Sequence, residues 1–298
     1  ITSRTINIKE LFMSFIKSVI QENENVTISK FNGKNIEVTG KNSDEYNSRI
    51  CFLDLETTGL NKQQDQIIEI ALKIVSANKN SGEIVEITNV YESFNDPGIP
   101  ISDEASLVNG ITNDMIAGKT IDWDNVGSLF ESSDLIVAHN ASFDRAFMDK
   151  SLPLSQEKLW ACTVNDIDWM NRGFTSSKQE LLCIWHGFYY DSHRAMNDVD
   201  ALIHLITSDF YNGNKPILEL MDNAANPYFK ISALNSPFES KDLLKARNYY
   251  WNNTNRYWWK HVDHDEIESE RKWLTENIYN GQFAGRIEEL PIIEKYKD

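Results

Sequence analysis

The chain has 298 residues, 41% of them hydrophobic and 25% charged, and a formal net charge of −16. Those proportions describe a globular chain long enough for one large domain and one or two small ones. No apolar run approaches the length of a membrane-spanning helix, so none is expected, and the acidic balance argues against a generic binder of nucleic-acid backbones.

The acidity is local. Residues 49–212 carry 11 Lys/Arg against 25 Asp/Glu, a balance of −14, whereas residues 1–48 carry six of each and 213–298 carry 12 against 14. A metal-filled acidic site that takes one strand end tolerates such a field; a broad backbone-binding groove would not. Cys51, Cys162 and Cys183 each lie in an apolar stretch without a close mate, which predicts buried free thiols and a reducing, cytoplasmic setting. The first residue is Ile1, so the natural start is expected to lie elsewhere, and no targeting segment is inferred.

Taken in order, residues 1–48 read as a small N-terminal element. Leu11, Phe12, Phe15, Ile16, Val19 and Ile20 recur at helical spacing, and Val26-Thr27-Ile28 and Ile36-Glu37-Val38 flank Asn32-Gly33 as the arms of a hairpin would. Residues 41–48 are polar and read as a linker. This element carries no chemistry, so packing or docking is its expected role.

From Arg49 the pattern becomes that of an α/β domain, residues 49–212. Strands are expected at 50–54, 66–75 and 83–94, joined by connections short enough for an antiparallel meander. Helices follow at 103–109, 114–116 and 123–130, then a strand at 134–138 and a helix at 142–150 with Ser142 as its N-cap. A strand at 159–162 and helices at 164–170, 178–185 and 197–209 complete the domain. Strands followed by βα units predict one mixed sheet with helices on both faces. Residues 213–238, punctuated by Gly213, Pro216, Pro227 and Pro237, read as a connector. Residues 239–298 read as a small aromatic-rich module with a helix at 240–247, strands at 249–251 and 256–260, and a last helix at 265–279.

Three stations carry carboxylates. In Cys51-Phe52-Leu53-Asp54-Leu55-Glu56-Thr57-Thr58-Gly59, two acids spaced i, i+2 on a strand share one face, where they repel unless a cation lies between them. In Ala138-His139-Asn140-Ala141-Ser142-Phe143-Asp144, Asp144 falls in the first turn of a helix, where the macrodipole favours a carboxylate. In His193-Arg194-Ala195-Met196-Asn197-Asp198, a histidine precedes a helix whose first turn holds an acid. Each alone is commonplace: chance pairs of acids, helix-start residues and loop histidines abound.

Together, and in this order, Asp54, Glu56, Asp144, His193 and Asp198 resemble the DnaQ-like proofreading-exonuclease superfamily, the ribonuclease H-like group whose motifs are called DEDD. The resemblance spans about residues 49–210 and includes Ile111-Thr112 and the segment 159–163. It is nearest to bacterial exonuclease X, through residues 137–145 and 193–198. His193 stands five residues before Asp198, the histidine spacing, with Arg194 at the alternative tyrosine position, so the DEDDh branch is implied. The implied fold is a ribonuclease H-like mixed five-stranded sheet with helices on both faces, flanked here by small N-terminal and C-terminal α+β modules.

The implied activity is 3′→5′ hydrolysis of phosphodiesters at nucleic-acid 3′ ends, with DNA and single strands favoured. It would use two divalent ions roughly 3.5–4 Å apart that clamp the phosphate and activate water. Oxygen ligands suit Mg²⁺ or Mn²⁺. By resemblance Asp54 would bridge both ions, Glu56 and Asp198 would complete the site of the attacking water, and Asp144 would hold the second ion through water. His193 would be the general base, since imidazole has an ordinary pKa of about 6.5. Leu55 and Thr57, through their backbone, and Asn140 are expected beside the terminal nucleotide.

The tail departs from that pattern. Tyr249, Tyr250, Trp251, Tyr257, Trp258 and Trp259 crowd a proposed hairpin, and residues 239–260 carry five basic side chains against two acidic ones. Such rings either fill a small core or stack on the bases of a single strand. The alternative class of function is a binding or inhibitory protein that uses the fold as a scaffold and docks a replication or host-defence partner through residues 1–48 or 239–298.

Overall fold

Strand β1, Asn47–Thr57, is the centre of the principal sheet. The structure is a computed structural model that describes residues 21–22, 25–33, 36–40, 46–211 and 213–297. A strand covered on both faces needs apolar residues at consecutive positions. Residues 50–53 supply them: Ile50 and Phe52 enter one core, Cys51 and Leu53 the other. β2, Ile67–Asn78, runs antiparallel to β1, and β3, Ile84–Phe94, antiparallel to β2. On the other side β4, Leu135–Ala138, is parallel to β1, and β5, Trp160–Cys162, parallel to β4. The order is β3-β2-β1-β4-β5, the mixed five-stranded sheet expected from the sequence.

Helices cover both faces. α1 is Asp103–Asn109 and α2 is Asn113–Ile116. α3, Trp123–Glu131, and α4, Ala141–Ser151, pack Val126, Leu129, Phe130, Phe147 and Met148 against the face that carries Leu53. α5, Gln179–Trp185, α6, Ala195–Ile206, and α7, Pro216–Ala225, pack Leu182, Val199, Leu202, Ile217 and Leu220 against the face that carries Phe52. The three cysteines are free and buried. No helix among the described residues is long and apolar enough to cross a membrane.

Several expected elements differ. The helix at 164–170 is a run of turns, because the Asp166 carboxylate accepts from the Cys162 backbone N–H at 2.8 Å and offers the chain a local alternative to helix. α4 begins at Ala141 behind Asn140, which is left-handed with φ of 64°, so Ser142 lies inside the helix and is not its cap. The hairpin around Asn32-Gly33 is not formed. Ser29–Lys30 pairs instead with Phe188–Tyr189, and the backbone N–H groups of Thr39 and Gly40 donate to Ile84 and Val85 of β3. The outer edge of β3 offers unpaired carbonyls that capture this segment. Phe31 stacks on His204 with centroids 4.4 Å apart. Gly33, with φ of +74°, passes so close to Asp200 that a Cβ would collide with its carboxylate. Residues 29–33 and 39–40 thus make their contacts with the large unit. The helix expected over 11–20 lies outside the described residues.

The chain divides into two compact units, the second running from Ala225 to Lys295. It begins inside the segment read as a connector, which contains α7 and the strand β6, Tyr228–Ala233. Pro227 and Pro237 made that segment look like a loop, yet they flank the strand and leave its ladder intact. With β7, Tyr250–Asn252, β8, Tyr257–Asp263, and β9, Arg286–Leu290, it forms an antiparallel sheet of order β7-β8-β6-β9. Its core joins Ile231, Ala233 and Val262 to Leu244 of α8, Lys241–Ala246, and Leu274 of α9, Ile267–Asn277.

In the large unit Lys73 of β2 forms an ion pair with Asp200 of α6, and their side chains are only 8% and 12% exposed. Removing one partner leaves a charge in the core, at a cost of about 3 kcal/mol. Lys73→Met should therefore lower the denaturation midpoint markedly, and adding Asp200→Leu to it should recover most of the loss in a urea titration.

Candidate active site

The alternation that buries Ile50 and Phe52 carries Asp54 and Glu56 onto the same face of β1, beneath α6. Ala71 lies opposite Asp54 in the register, so small side-chain volume adjoins the carboxylate, and Glu69 lies opposite Glu56. The register slips between Glu56 and Thr57, a bulge that ends the regular ladder at the site. The turn that follows is tightly built. Thr58 Oγ1 donates to Asp65 at 2.7 Å, and a Cβ on Gly59 would lie 2.6 Å from that carboxylate, so a larger residue there would displace Asp65.

Asp198, in the first turn of α6, brings a third carboxylate to this face. One oxygen from each of Asp54, Glu56 and Asp198 can be chosen so that all three lie within 4.8 Å of one another. Asp144, in the first turn of α4, is 3% exposed, faces the Leu55 backbone N–H, and adds its negative charge to the field on Asp54. It stands outside the three-residue cluster.

Burial holds all four acids above the usual carboxylate range. For Asp54 it is followed by repulsion from Asp198, Asp144, Glu56 and Glu69. Burial pushes Glu56 up to about 7, opposed by the amide of Asn109, whose Nδ2 donates to Oε2 at 3.3 Å. Asp198 is also raised by burial, and opposed by Tyr190, whose hydroxyl donates to Oδ1 at 2.7 Å. The Tyr190 phenol is itself pushed far up by burial and by Asp198, so it remains a donor. Asp144 is raised by burial.

The neighbouring cations are engaged elsewhere. The Arg194 guanidinium binds Glu69 through Nη2 at 2.8 Å and Nε at 3.2 Å, and the Ala195 backbone N–H donates to Glu69 at 3.0 Å. Glu69, whose side chain is 1% exposed, thus ties β2 to the start of α6 and fixes where Asp198 stands. Clustered hard oxygens with raised affinity for positive charge are the donor set that a divalent cation of the Mg²⁺ or Mn²⁺ type fits.

His193 is exposed and left-handed, with φ of 63°. Its Nε2 lies 3.4 Å from Oε1 of Glu180, which also accepts from Ser192 Oγ at 2.6 Å. Of the residues expected beside a nucleotide, Leu55 buries its side chain in the core, Thr57 Oγ1 donates to the Gly59 carbonyl at 2.6 Å, and Asn140 is exposed at the head of α4. Sequence reading passed over Glu69, Asn109, Gln179 and Tyr190. Gln179 Nε2 donates to the Asp198 carbonyl and to the Tyr190 hydroxyl, both at 2.9 Å. The only signal for Glu69 was a charge inside the otherwise apolar run Ile67-Ile68-Glu69-Ile70-Ala71-Leu72, which demands a buried partner.

Residues 51–206 match the model of the family described as Exonuclease, RNase_T. The match takes in more than half of the chain, and the chain belongs to that family. Similar proteins include the DNA polymerase III PolC-type of Listeria monocytogenes, 40% identical over 102 residues, which is 33% of this chain and 6% of that protein. The PolC-type polymerase of Caldanaerobacter subterraneus is 34% identical over 171 residues, covering 55% of this chain and 12% of that one. The chain thus spans only a small fraction of these relatives. Among solved structures, exonuclease X in complex with 5′ overhanging duplex DNA is 26% identical with a TM-score of 0.44, over 59% of this chain and 99% of that chain. E. coli exonuclease I with a dA16 oligonucleotide is 16% identical with a TM-score of 0.49, over 72% and 63%.

A carboxylate whose folded-state pKa is raised binds protons more tightly folded than unfolded, so it subtracts stability as pH rises through that interval. For Glu56 the interval runs from 4.5 to about 7. The metal-free protein should therefore melt lower at pH 8 than at pH 5, and Mg²⁺ or Mn²⁺ should raise the melting temperature at pH 8. Glu56→Gln should flatten the pH dependence and weaken the metal-induced rise, read by differential scanning fluorimetry.

Proposed function

We propose that this chain is a divalent-metal-dependent 3′→5′ exonuclease of the DEDDh type that acts on DNA, preferentially at single-stranded 3′ ends. The observation that carries the reading is the convergence of Asp54, Glu56 and Asp198 oxygens within 4.8 Å, on the segment that matches the exonuclease family. The DNA polymerase III relatives support DNA as the substrate.

Asp54, Glu56 and Asp198 would hold the cations, with Asp144 contributing to a second position. Bound there, the cations would supply charge neutralisation of the phosphate and a more acidic water. The protein's own groups do the rest. Tyr190 and the Arg194 backbone N–H each bind one oxygen of Asp198, at 2.7 and 3.2 Å, and so set the plane of that carboxylate. Asn109 occupies Oε2 of Glu56 and leaves Oε1 for the cluster. His193 accepts the proton of the attacking water. Its partner Glu180, 3.4 Å from Nε2, is placed to orient the imidazole.

The test is release of mononucleotides from 3′-ended single- and double-stranded DNA and RNA, with Mg²⁺, Mn²⁺ or EDTA. Asp54→Ala and Asp198→Ala should each lose at least about a thousandfold in rate, and EDTA should abolish turnover. Persistent trimming by either variant would sink the metal assignment. His193→Ala should retain metal-induced stabilisation while losing about 10²–10⁴-fold in rate.

A further inference from the structure

The C-terminal unit presents a surface that the proposed reaction does not use. Its helices cover one face of the sheet: Ile231 and Ala233 of β6 and Val262 of β8 join α8 and α9 in the core, with Phe229, Trp258 and Ile287 packed against them. The intervening residues share the opposite face by register. Tyr250 pairs with Trp259, Trp259 with Ser232, and His261 with Lys230. Aromatic residues that served only to fill the core would join the cluster on the helix side of the sheet, as Tyr249, Trp258 and Trp273 do. Tyr228, Tyr250, Tyr257, Trp259 and His261 lie on the second.

Four of these rings form a continuous row. The Tyr250 and Trp259 centroids are 5.6 Å apart, Trp259 and His261 4.8 Å, and His261 and Tyr228 4.6 Å. Their planes are inclined at 39°, 61° and 75°: both contacts of His261 are edge-to-face and each occupies part of a π face, which leaves Tyr250, tilted against Trp259, as the ring most open to a base. The Lys230 ammonium lies over two rings of this face, 5.1 Å from the Trp259 centroid and 5.5 Å from that of Tyr257, with its Nζ 3.3 Å from the Tyr257 hydroxyl, and the Lys295 ammonium lies over Tyr228 at 5.8 Å. Tyr250, at one end, is 63% exposed.

We propose that this face binds single-stranded nucleic acid, stacking bases on the row from Tyr250 to Tyr228 and placing a phosphate at Lys230. Unpaired bases expose the π faces that such rings accept, whereas duplex bases are already stacked on each other. The cation beside the rings suits a ligand that alternates planar bases with anionic links, and a neutral proline-rich peptide has no use for it. The identity of the ligand rests on the exonuclease reading, to which this adds a second point of substrate contact.

The test uses the full chain carrying Asp54→Ala, so that the strand survives, and a fluorescein-labelled oligothymidylate read by anisotropy. Adding Tyr250→Ala should weaken binding about tenfold, Trp259→Ala by at least as much, and Tyr250→Phe little. Lys230→Gln should reduce the slope of log affinity against log salt by about one. A blunt duplex should compete poorly. Because Trp259 is partly buried, circular dichroism checks the fold of its variant, and exposed Tyr250 supplies the decisive comparison. Unchanged affinity in Tyr250→Ala and Lys230→Gln overturns the proposal, as does equal competition by duplex or capture of a proline-rich peptide in place of the strand. Failure of the exonuclease reading looks different: the chain with Asp54 intact would not hydrolyse 3′ ends at all. If only the face is wrong, hydrolysis persists and its KM is indifferent to Tyr250→Ala.

Discussion

Carboxylates crowded onto one face of a sheet repel, and burial under a helix strengthens that repulsion by removing the water that would screen it. The face of β1 and β2 beneath α6 carries Asp54, Glu56 and Glu69, and α6 brings Asp198 and Asp200 down onto it. The fold resolves the conflict in two ways. Asp200 is neutralised by Lys73 and Glu69 by Arg194, both within the protein. Among the described residues no ion pair joins Asp54, Glu56 or Asp198 to Lys or Arg: Glu56 and Asp198 receive hydrogen bonds from Asn109, Tyr190 and the Arg194 backbone, Glu56 also feels the more distant Arg194 charge, and Asp54 keeps the repulsion of its neighbours. The division separates ion-paired acids from those proposed to hold cations more sharply than burial does, since Glu69 is more buried than Glu56.

The two helices that deliver acids to this region are entered in the same unusual way. Asn140 stands immediately before α4 and His193 two residues before α6, and both are left-handed, with φ of 64° and 63°. For an L-residue that conformation costs about 1–2 kcal/mol, least for asparagine. A sharp reversal there lets a chain leave the sheet and turn directly into a helix whose first turn points back over the strand ends. Asp144 and Asp198 are thereby aimed from opposite faces of the sheet toward the end of β1. Strained backbone of this kind persists where surrounding contacts over-determine it. At α6 those contacts are the Glu69 carboxylate on Arg194 and Ala195, and the Asp198 carboxylate on the Arg194 N–H.

The sheet was legible because its signals are local: apolar runs of strand length, and the i, i+2 acids whose parity with Ile50 and Phe52 fixes their face. The cluster was legible only as a set of separated stations, and three of its expected members converge as one group while Asp144 stands deeper and His193 turns toward Glu180. The supporting shell was not legible, because Asn109, Gln179 and Tyr190 are ordinary residue types that acquire meaning only from contacts across 8 to 53 positions of sequence. The N-terminal hairpin failed for a related reason. Asn-Gly between alternating residues is a sound local signal, but the open edge of β3 and the aromatic contact of Phe31 with His204 outweigh it. In the tail, two prolines concealed β6, whose alternation of Tyr228, Lys230 and Ser232 with Phe229, Ile231 and Ala233 was present throughout.

An acidic chain poses a problem for any enzyme of nucleic acids, because its long-range field repels the substrate. Cations held at the cluster would reverse the sign only there, over about a Debye length of 8–10 Å. Affinity beyond that range has to come from interactions that are indifferent to charge. Stacking is the strongest of these for a single strand, is less weakened by salt than phosphate contacts are, and discriminates against duplex by geometry. The C-terminal unit is almost neutral, with 10 Lys/Arg against 11 Asp/Glu over residues 225–295, and is where rings gather on the sheet face away from α8 and α9. If both proposals hold, the labour would be divided by chemistry: carboxylates and cations for the scissile phosphate, aromatic faces for unpaired bases.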